Sequence, residues 1–393
     1  MVEINHRYLQ KKKNQAGFSV LEMLVAATIF IIVTGSIYAL LELGRSDRNR
    51  TSRRGDAQKN ARIAMYLIGR DVMNSGLGYH KTGALVPDDF LSNRLGVAFD
   101  PNNGRDTLTS VACGNDVFTN RYLPTNQKTD SIAFIYRDLD FNGGKAVVVR
   151  DEVGTSGATA VVFQLPTPTP TVSPAPTKTP AFNAATNFSN VSNNDLFMAE
   201  TKTSQIVGLV TSKNATNYQL SVDSGDNLTL NQERNKKDSS NNFIGSLFRK
   251  CTSTTDTNCT TYSGTAGGEI LLKKIEMVSY QVTYDGTLVR TIYGNNSAGT
   301  KTDQIQQRAI AYGVQNFQLR YQMVDGSIVD DPVVGPDGNR GTTDDTPTNM
   351  NNVRYVAIAL TVSSTEVDEM SGDPEIITIN STFALRNMAY DDK

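Results

Sequence analysis

The sequence predicts an α+β protein in which a long N-terminal helix precedes an antiparallel, β-rich head. Residues 18–41 are almost entirely apolar or small, and the apolar positions of 57–72 recur every three or four residues. Short runs rich in β-branched and aromatic residues then continue to the C-terminus. A helical pattern followed by a series of strand patterns is typical of α+β proteins.

One helix from about Phe18 to Ser75 is the simplest interpretation of the N-terminal pattern. Residues 18–41 are long enough, at about 1.5 Å per residue, to cross a bilayer core of about 30 Å. Residues 42–78 continue the helix as an amphipathic half that ends at a pair of glycines, Gly76 and Gly78. We expect its apolar face to pack on the head: Ala57, Ala61, Ala64, Met65, Ile68, Val72 and Met73.

The head, residues 79–393, is predicted to consist of strands. Asp285-Gly286 between two apolar runs is a strong hairpin signal. Other runs alternate or are short and rich in β-formers. They are 132–136, 146–149, 160–165, 278–284, 288–293, 317–323, 356–362 and 377–385.

A Pro/Thr-rich segment, residues 165–185, interrupts the head. Six of the 13 prolines lie between Pro166 and Pro180. Such a segment cannot enter a sheet interior and favours an extended, polyproline-like form. It is either a linker between two subdomains or an exposed loop within one domain.

The apolar segment contains an acidic residue near its start. A basic run, Lys11–Lys13, precedes Gly17 and Phe18, and Glu22 follows inside the apolar segment. An ionised side chain in a membrane helix is costly, so Glu22 is predicted to be a functional group with a partner. The first helical turn is a favourable position for it, because the helix dipole stabilises negative charge there.

The stretch from Gly17 to Glu22 resembles the processing site of type IV prepilins and of the pseudopilins of type II secretion. The resemblance implies that prepilin peptidase removes residues 1–17 as a leader peptide and that the new N-terminus, Phe18, is methylated. It also implies that Glu22 meets the N-terminal ammonium of a neighbouring subunit during assembly. Two such charges attract strongly when they are desolvated together. We therefore expect the Glu22 carboxylate to be unpaired in the isolated subunit.

A secretory signal peptide or a plain signal anchor also places a basic stretch before an apolar segment. A removed signal peptide is cleaved after its apolar core, where Ala39 and Gly44 offer small residues, but the early Glu22 argues against that route. Five arginines between 45 and 54 make the positive-inside rule uninformative. The processing motif therefore determines the predicted orientation, with the N-terminus in the cytoplasm and the head in the periplasm.

Two further regions resemble the PilW family of minor pilins, which is related to pseudopilin J of type II secretion. The first is the Arg70-Asp71 pair before the glycine-containing turn. The second is a series of three stretches near the C-terminus, Val314–Phe317, Val353–Val356 and Phe383–Asn387. The resemblance implies a pilin-like head on a long helix.

We therefore expect a single-pass inner-membrane protein that joins a filament and is not an enzyme. The resemblance implies a minor pilin that initiates or caps a type IV pilus. Its partners would be prepilin peptidase/methyltransferase, other minor and major pilins and the inner-membrane assembly platform. A head of roughly three hundred residues is bulky to repeat along a shaft, which favours the tip. The alternatives are a J-like minor pseudopilin of type II secretion and a membrane-anchored adhesin or binding protein.

Composition and motifs argue against other classes. Loss of residues 1–17 removes four basic residues and one acidic residue, which changes the formal net charge from −2 to −5, so nucleic-acid binding is not indicated. The two histidines are His6, in the predicted leader, and His80. The sequence contains no Walker, GxSxG or HExxH motif, and we expect no catalytic residues.

Three cysteines occur in the chain. Cys251 and Cys259 enclose a short polar segment and can form a disulfide in an oxidising, exported location. Cys113 would then remain as a buried thiol or as a partner in another pairing. No CxxC or Cys/His zinc spacing is present.

A polar stretch near the C-terminus resembles part of a calcium loop. Its oxygen ligands would be Asp337, Asn339, Asp344 and Asp345. The stretch misses the EF-hand pattern because its glycine comes too early and Arg340 intrudes. Calcium occurs in related pseudopilins, so a calcium site is the alternative to the favoured interpretation, a plain polar connection between strands, and no other cofactor is expected.

Overall fold

The computed structural model describes residues 17 to 385 with internal gaps, and it confirms the predicted α+β plan. The described ranges are 17–87, 90–96, 105–152, 161–165, 188–200, 205–231, 250–251, 261–262, 270–296, 304–342, 344–367 and 372–385. The chain divides into two compact units, Met1–Gly55 and Asp56–Lys393.

Within these ranges the chain forms two α-helices and 19 strands. The helices are α1 (Val20–Asn74) and the short α2 (Phe90–Leu95). The strands are β1 (Ala84–Pro87), β2 (Arg105–Leu108), β3 (Val111–Phe118), β4 (Thr129–Arg137), β5 (Val147–Glu152), β6 (Val161–Gln164), β7 (Leu196–Glu200), β8 (Gln205–Leu209), β9 (Ser212–Asn214), β10 (Gln219–Val222), β11 (Lys250–Cys251), β12 (Thr261–Tyr262), β13 (Ile270–Val282), β14 (Leu288–Tyr293), β15 (Ile305–Ala311), β16 (Val314–Met323), β17 (Ile328–Val329), β18 (Val353–Val367) and β19 (Pro374–Ala384).

Strand β13 is the central strand of the larger sheet, which has 13 strands in the described ranges. Its first part pairs with β5 and β7, and its second part pairs with β4 and β14. From there the sheet continues to β3 and β15 at one end and to β6, β10, β9, β8, β1 and β2 at the other. One 13-residue strand therefore joins the two parts of the head.

The smaller sheet has the order β17-β16-β18-β19, and its pairs are antiparallel. Because side chains alternate between the faces of a strand, Phe317 and Leu360 face the core while Gln318 and Ala359 lie on the other face. The main core contains residues of α1, the larger sheet and the smaller sheet. A second apolar cluster lies among β5, β6, β7 and β10.

The amphipathic half of α1 packs on this head as predicted for most of its apolar face. Ala57, Ala61, Ala64, Met65, Ile68 and Val72 are buried. The prediction for Met73 is wrong, since 37% of this residue is exposed. Small residues dominate the buried stripe, which lets the helix backbone approach the sheets closely.

Gly69 is needed where β19 meets α1. A Cβ atom built on Gly69 would overlap with Cε1 of Phe383, so the Phe383 ring occupies the space that any other side chain would fill. Gly76 then ends the helix with a φ of 79°, and its N–H donates to the carbonyl of Ile135 in β4 at 2.9 Å.

A buried carboxylate attaches the end of α1 to the larger sheet. Oδ2 of Asp71 accepts hydrogen bonds from the Tyr280 hydroxyl at 2.6 Å and from Nε of Arg290 at 2.8 Å. Its Oδ1 accepts a hydrogen bond from Arg70 at 3.1 Å. Burial, and then the Asp71 charge, raise the pKa of Tyr280, which keeps its hydroxyl a donor. Since Tyr280 and Arg290 are opposite each other in β13 and β14, the network fixes one helical turn to one strand pair.

Asp130 connects the two sheets. It lies in β4, and its carboxylate accepts the backbone N–H of Leu319 in β16 at 2.7 Å and that of Asp116 at 2.9 Å. Burial raises the pKa of Asp130 to about 7, against the effect of these two hydrogen bonds. Strand β4 is buried on both faces, so its apolar residues do not alternate with exposed ones as predicted for 132–136.

The Pro/Thr-rich segment falls almost wholly outside the described residues. The chain on its two sides is described at Leu165 and Phe188, and both belong to the same apolar cluster. Whether the segment is a linker or an exposed loop therefore stays a prediction.

We expect Asp71→Ala to lower the free energy of unfolding by about 3–5 kcal/mol, because it leaves the largely buried Arg290 guanidinium without its carboxylate. Asp56→Ala, on the exposed side of the same helix, is the matched control and should change stability by about 0.5 kcal/mol or less. Urea titration of the full-length protein in detergent measures both. Equal losses in the two variants would contradict the anchoring role of Asp71.

We expect stability to fall with rising pH through Asp130. The unfolded group has a pKa of 3.8, so between this value and about 7 the folded chain holds a proton that the unfolded chain has released. The contribution of Asp130 to the free energy of unfolding therefore falls through this window, by up to about 4 kcal/mol. Denaturant titrations across the window should show the wild type losing stability relative to Asp130→Asn as the pH rises. Parallel pH profiles would show that Asp130 titrates normally.

Candidate functional site

The predicted processing site lies at the start of α1. Gly17, Phe18 and Ser19 are non-helical, and α1 begins at Val20. All of these residues are exposed, and Phe18 is 86% exposed. No atom of the described residues approaches the position of a Cβ on Gly17 within 4 Å. The bond between Gly17 and Phe18 is therefore in open, non-helical backbone directly before the helix.

Ser19 and Glu22 form a capping box at this helix end. The Ser19 hydroxyl oxygen accepts the N–H of Leu21 at 3.2 Å, and Oε2 of Glu22 accepts the N–H of Ser19 at 3.1 Å. In a capping box the N-cap residue and the third helical residue each satisfy a backbone donor at the open end of the helix. The Ser-x-x-Glu spacing before an apolar run is the sequence signal for this motif.

The Glu22 carboxylate is thus not unpaired in the isolated chain, which corrects the expectation from the sequence. It accepts the Ser19 N–H because the side chain of the third helical residue can reach back over the first turn. Glu22 lies in the first turn of α1, where the helix dipole favours negative charge. The carboxylate is directed towards the helix end and therefore towards the neighbourhood of Phe18.

The helix that follows is apolar and uncovered. An 18-residue window of α1 is apolar enough to cross a membrane, and none of it is buried within the chain. The hydroxyls of Thr28 and Ser36 donate to the carbonyls of Leu24 and Ile32, each at 2.8 Å. These polar side chains are therefore satisfied by the backbone four residues earlier, as a segment in an apolar environment requires.

The three C-terminal stretches lie on three strands of the smaller sheet. Val314–Phe317 lies in β16 and Val353–Val356 in β18, which pair with each other. Phe383, in β19, is opposite Val356, and Asn387 lies outside the described residues. These stretches position the sheet that packs on α1.

The predicted calcium residues form a loop that satisfies its carboxylates with its own backbone. Oδ2 of Asp345 accepts the N–H of Gly341 at 2.7 Å, and Oδ2 of Asp344 accepts the N–H of Asp337 at 3.2 Å. Oδ1 of Asp337 accepts the N–H of Asn339 at 2.8 Å. Hydrogen bonds, first that from the Thr342 hydroxyl, lower the pKa of Asp344.

This arrangement matches a polar connection between strands. Within the described ranges, no group of three or more His, Cys, Asp or Glu side chains is placed to hold a metal ion. Nearby, the Arg340 guanidinium donates to a carboxylate oxygen of Asp331 and to the Cys113 carbonyl, which fixes the loop to β3. Calcium binding by this loop stays a prediction.

The cysteines are placed only in part. Cys113 is buried, and burial raises the pKa of its thiol to about 12, so it is a poor nucleophile. The backbone of Cys251 lies in β11, whereas Cys259 lies outside the described residues. The pairing of Cys251 with Cys259 therefore stays a prediction.

We expect Ser19→Ala to weaken the first turn of α1 by about 1 kcal/mol, which corresponds to about fivefold faster amide exchange at Leu21. Ser36→Ala is the matched control, because it removes a hydroxyl from the middle of the same helix. Hydrogen exchange of the full-length protein in detergent micelles measures both. Unchanged exchange at Leu21 in the Ser19 variant would show that the capping box does not hold this turn.

Comparison with known proteins supports this site. Residues 12–38 match the family model described as the prokaryotic N-terminal methylation motif. No curated protein and no solved structure matches the chain. The matched residues include Gly17, Phe18 and Glu22 and the start of the uncovered apolar helix. The motif supports a type IV prepilin-like protein, and the helix that follows it is long and apolar enough to cross a membrane.

Proposed function

We propose that this protein is a minor pilin, which is processed by prepilin peptidase and takes part in initiating or capping a type IV pilus. The observation that carries the proposal is the methylation motif at 12–38, which extends into an apolar helix that the chain does not cover. An apolar surface of this length needs a bilayer before assembly and neighbouring helices after it.

Cleavage between Gly17 and Phe18 is supported by the local backbone. The two residues are exposed and non-helical, and α1 starts only at Val20. A protease needs an extended substrate segment, and a helix around the scissile bond would have to unwind first. Methylation then takes place on the new amino group of Phe18, at the membrane surface.

Glu22 is proposed to be the assembly contact. Its carboxylate already accepts the Ser19 N–H, so it points towards the helix end. The ammonium of Phe18 from a neighbouring subunit is a stronger donor than a neutral N–H and adds a charge–charge attraction. In an apolar helix bundle the Glu22 carboxylate and the Phe18 ammonium stabilise each other only when they are in contact. The two helices must therefore assemble in the axial register that brings these two groups together.

The head supports a tip role over that of a repeated subunit. Two sheets and the second half of α1 enclose a large core, and the larger sheet alone has 13 strands in the described ranges. Repeating such a head at every step of a tight helical shaft is sterically demanding, whereas a filament end has room for it. The N-terminus would be cytoplasmic, and the head would be periplasmic until the subunit enters the filament. Its partners would be other minor and major pilins and the inner-membrane assembly platform.

We expect Glu22→Ala to reduce incorporation into filaments at least about tenfold, because an unpaired ammonium would remain in the apolar bundle. Leader cleavage should be unchanged. The comparison is made in the native host without its wild-type copy, by immunoblots of sheared filaments and of membranes. Glu42→Ala, which removes a carboxylate at the far end of the apolar segment, is the matched control and should assemble normally.

The same strains separate the proposed role from its alternatives. A tip subunit gives immunogold label at filament ends and fewer pili when the gene is deleted. Label along the whole shaft would contradict the tip role. Loss of protein secretion with normal pili would instead identify a pseudopilin, and a head that stays in the membrane fraction would identify an anchored adhesin.

A further inference from the structure

Strand β19 is a long sheet edge with little protection against pairing. It is the outermost strand of the smaller sheet, and no described strand pairs with its outer side. Between Ile376 and Ala384 it contains no charged residue and no proline, and over these residues its pairing with β18 is regular; the register shift of this pair lies before Ile376. Exposed edges are usually kept from pairing by charges, prolines, bulges or short length.

The other edges in the described ranges carry such protection. Strands β2, β9 and β17 have four, three and two residues. The pairing of β3 is irregular between Gly114 and Phe118, and that of β15 with β14 is irregular at Leu288. Strand β15 also carries an exposed arginine, Arg308. Strand β19 carries a proline, a glutamate and a register shift only at its start, and the uncharged stretch from Ile376 to Ala384 pairs regularly with β18, so this stretch differs from the other described edges.

The free hydrogen-bonding groups of β19 can be assigned by residue. The N–H of Leu385 donates to the carbonyl of Arg354, so residue 385 points its backbone groups at β18. Because this direction alternates along a strand, Phe383, Ser381 and Ile379 also face β18. The backbone groups of Thr378, Asn380 and Thr382 then face outwards.

The core-facing side chains of β19 are incompletely covered. Ile377, Ile379 and Phe383 are only half-buried, whereas their partners Val362, Leu360 and Val356 in β18 are fully buried. A further strand beside β19 would cover this remaining apolar surface. The edge therefore offers both open hydrogen bonds and apolar area.

Helix α1 forms the second wall of this site. The Phe383 ring lies on Gly69, and Tyr66 and Met73 are three residues before and four residues after Gly69, on the same helix face. Tyr66 is 73% exposed and Met73 is 37% exposed. The residues directly before them in sequence, Met65 and Val72, are buried in the core. An apolar strip of the helix therefore continues outwards from the point where β19 ends.

The same helix flank is basic. Lys59 and Arg62 are exposed. They lie about two turns and about one turn before Tyr66, on the same side of α1. A partner segment that lies along the strip would gain from an acidic side chain at this position.

We propose that β19 and the Tyr66–Met73 strip form a strand-docking groove for an extended segment of another polypeptide. The segment would add to the smaller sheet as its next strand, with apolar side chains alternating towards Tyr66 and Met73 and with an acidic flank. Backbone hydrogen bonds at Thr378, Asn380 and Thr382 would supply the pairing, and the apolar strip would set the register.

The test uses full-length protein in detergent micelles and a short synthetic peptide in which valine and threonine alternate between terminal glutamates. We expect saturable binding that slows amide exchange at Thr378, Asn380 and Thr382 by about tenfold. A peptide of the same sequence with alternate amides N-methylated should not bind, since it cannot form the ladder. Equal binding of both peptides, or no slowing at these amides, would overturn the proposal.

Two variants of the protein complete the test. Thr378→Pro removes one outward N–H and should weaken binding at least about tenfold, while Thr378→Val keeps that N–H and should bind as the wild type does. Tyr66→Ala should weaken binding about fivefold through lost apolar contact. Unchanged amide exchange of β18 in the absence of peptide checks that the variants fold. If the proline variant does not fold, the comparison of the unmodified and N-methylated peptides on the wild-type protein tests the backbone pairing. Concentration-dependent self-association that protects the same amides would instead show that a second copy occupies the groove.

Discussion

The apolar half of α1 is the constraint on which the rest of the molecule depends. Nothing in the described chain covers this segment, and yet the same helix continues into the core of the head. One continuous helix therefore has an uncovered apolar segment before Gly44 and, after Asp56, a buried face that mixes alanines with larger apolar residues. Ser19 and Glu22 cap the N-terminus of the helix. The buried carboxylate of Asp71 fixes its C-terminal part to the larger sheet.

The head is built to hold the second half of this helix firmly. Asp71 binds a tyrosine and an arginine on paired strands, Gly69 admits the Phe383 ring, and Gly76 continues into a hydrogen bond with β4. Asp130 joins β4 to the smaller sheet. A force or displacement on the helix would thus reach both sheets directly.

Local patterns in the sequence predict the helix, its buried small-residue face and the alternating strands β16, β18 and β19, because each depends on neighbouring residues. The partners of Asp71 could not be predicted, since Tyr280 and Arg290 lie 209 and 219 residues further along the chain. Nor do local patterns show that β13 pairs with β5 and β7 along its first part and with β4 and β14 along its second part. At the processing site the residues follow from the motif, but the contact of Glu22 does not, because the same carboxylate can accept a backbone N–H of its own helix or a donor of another subunit.

The mass of the mature N-terminus tests the central claim most directly. Purified from membranes of the native host, the chain is expected to begin at Phe18 with a methylated amino group, and cells without prepilin peptidase should retain residues 1–17. That result would place the uncovered helix and Glu22 at the very start of the mature protein. A chain that still begins at Met1, or one cut near Gly44, would contradict the account, because α1 would then serve as an anchor or be lost.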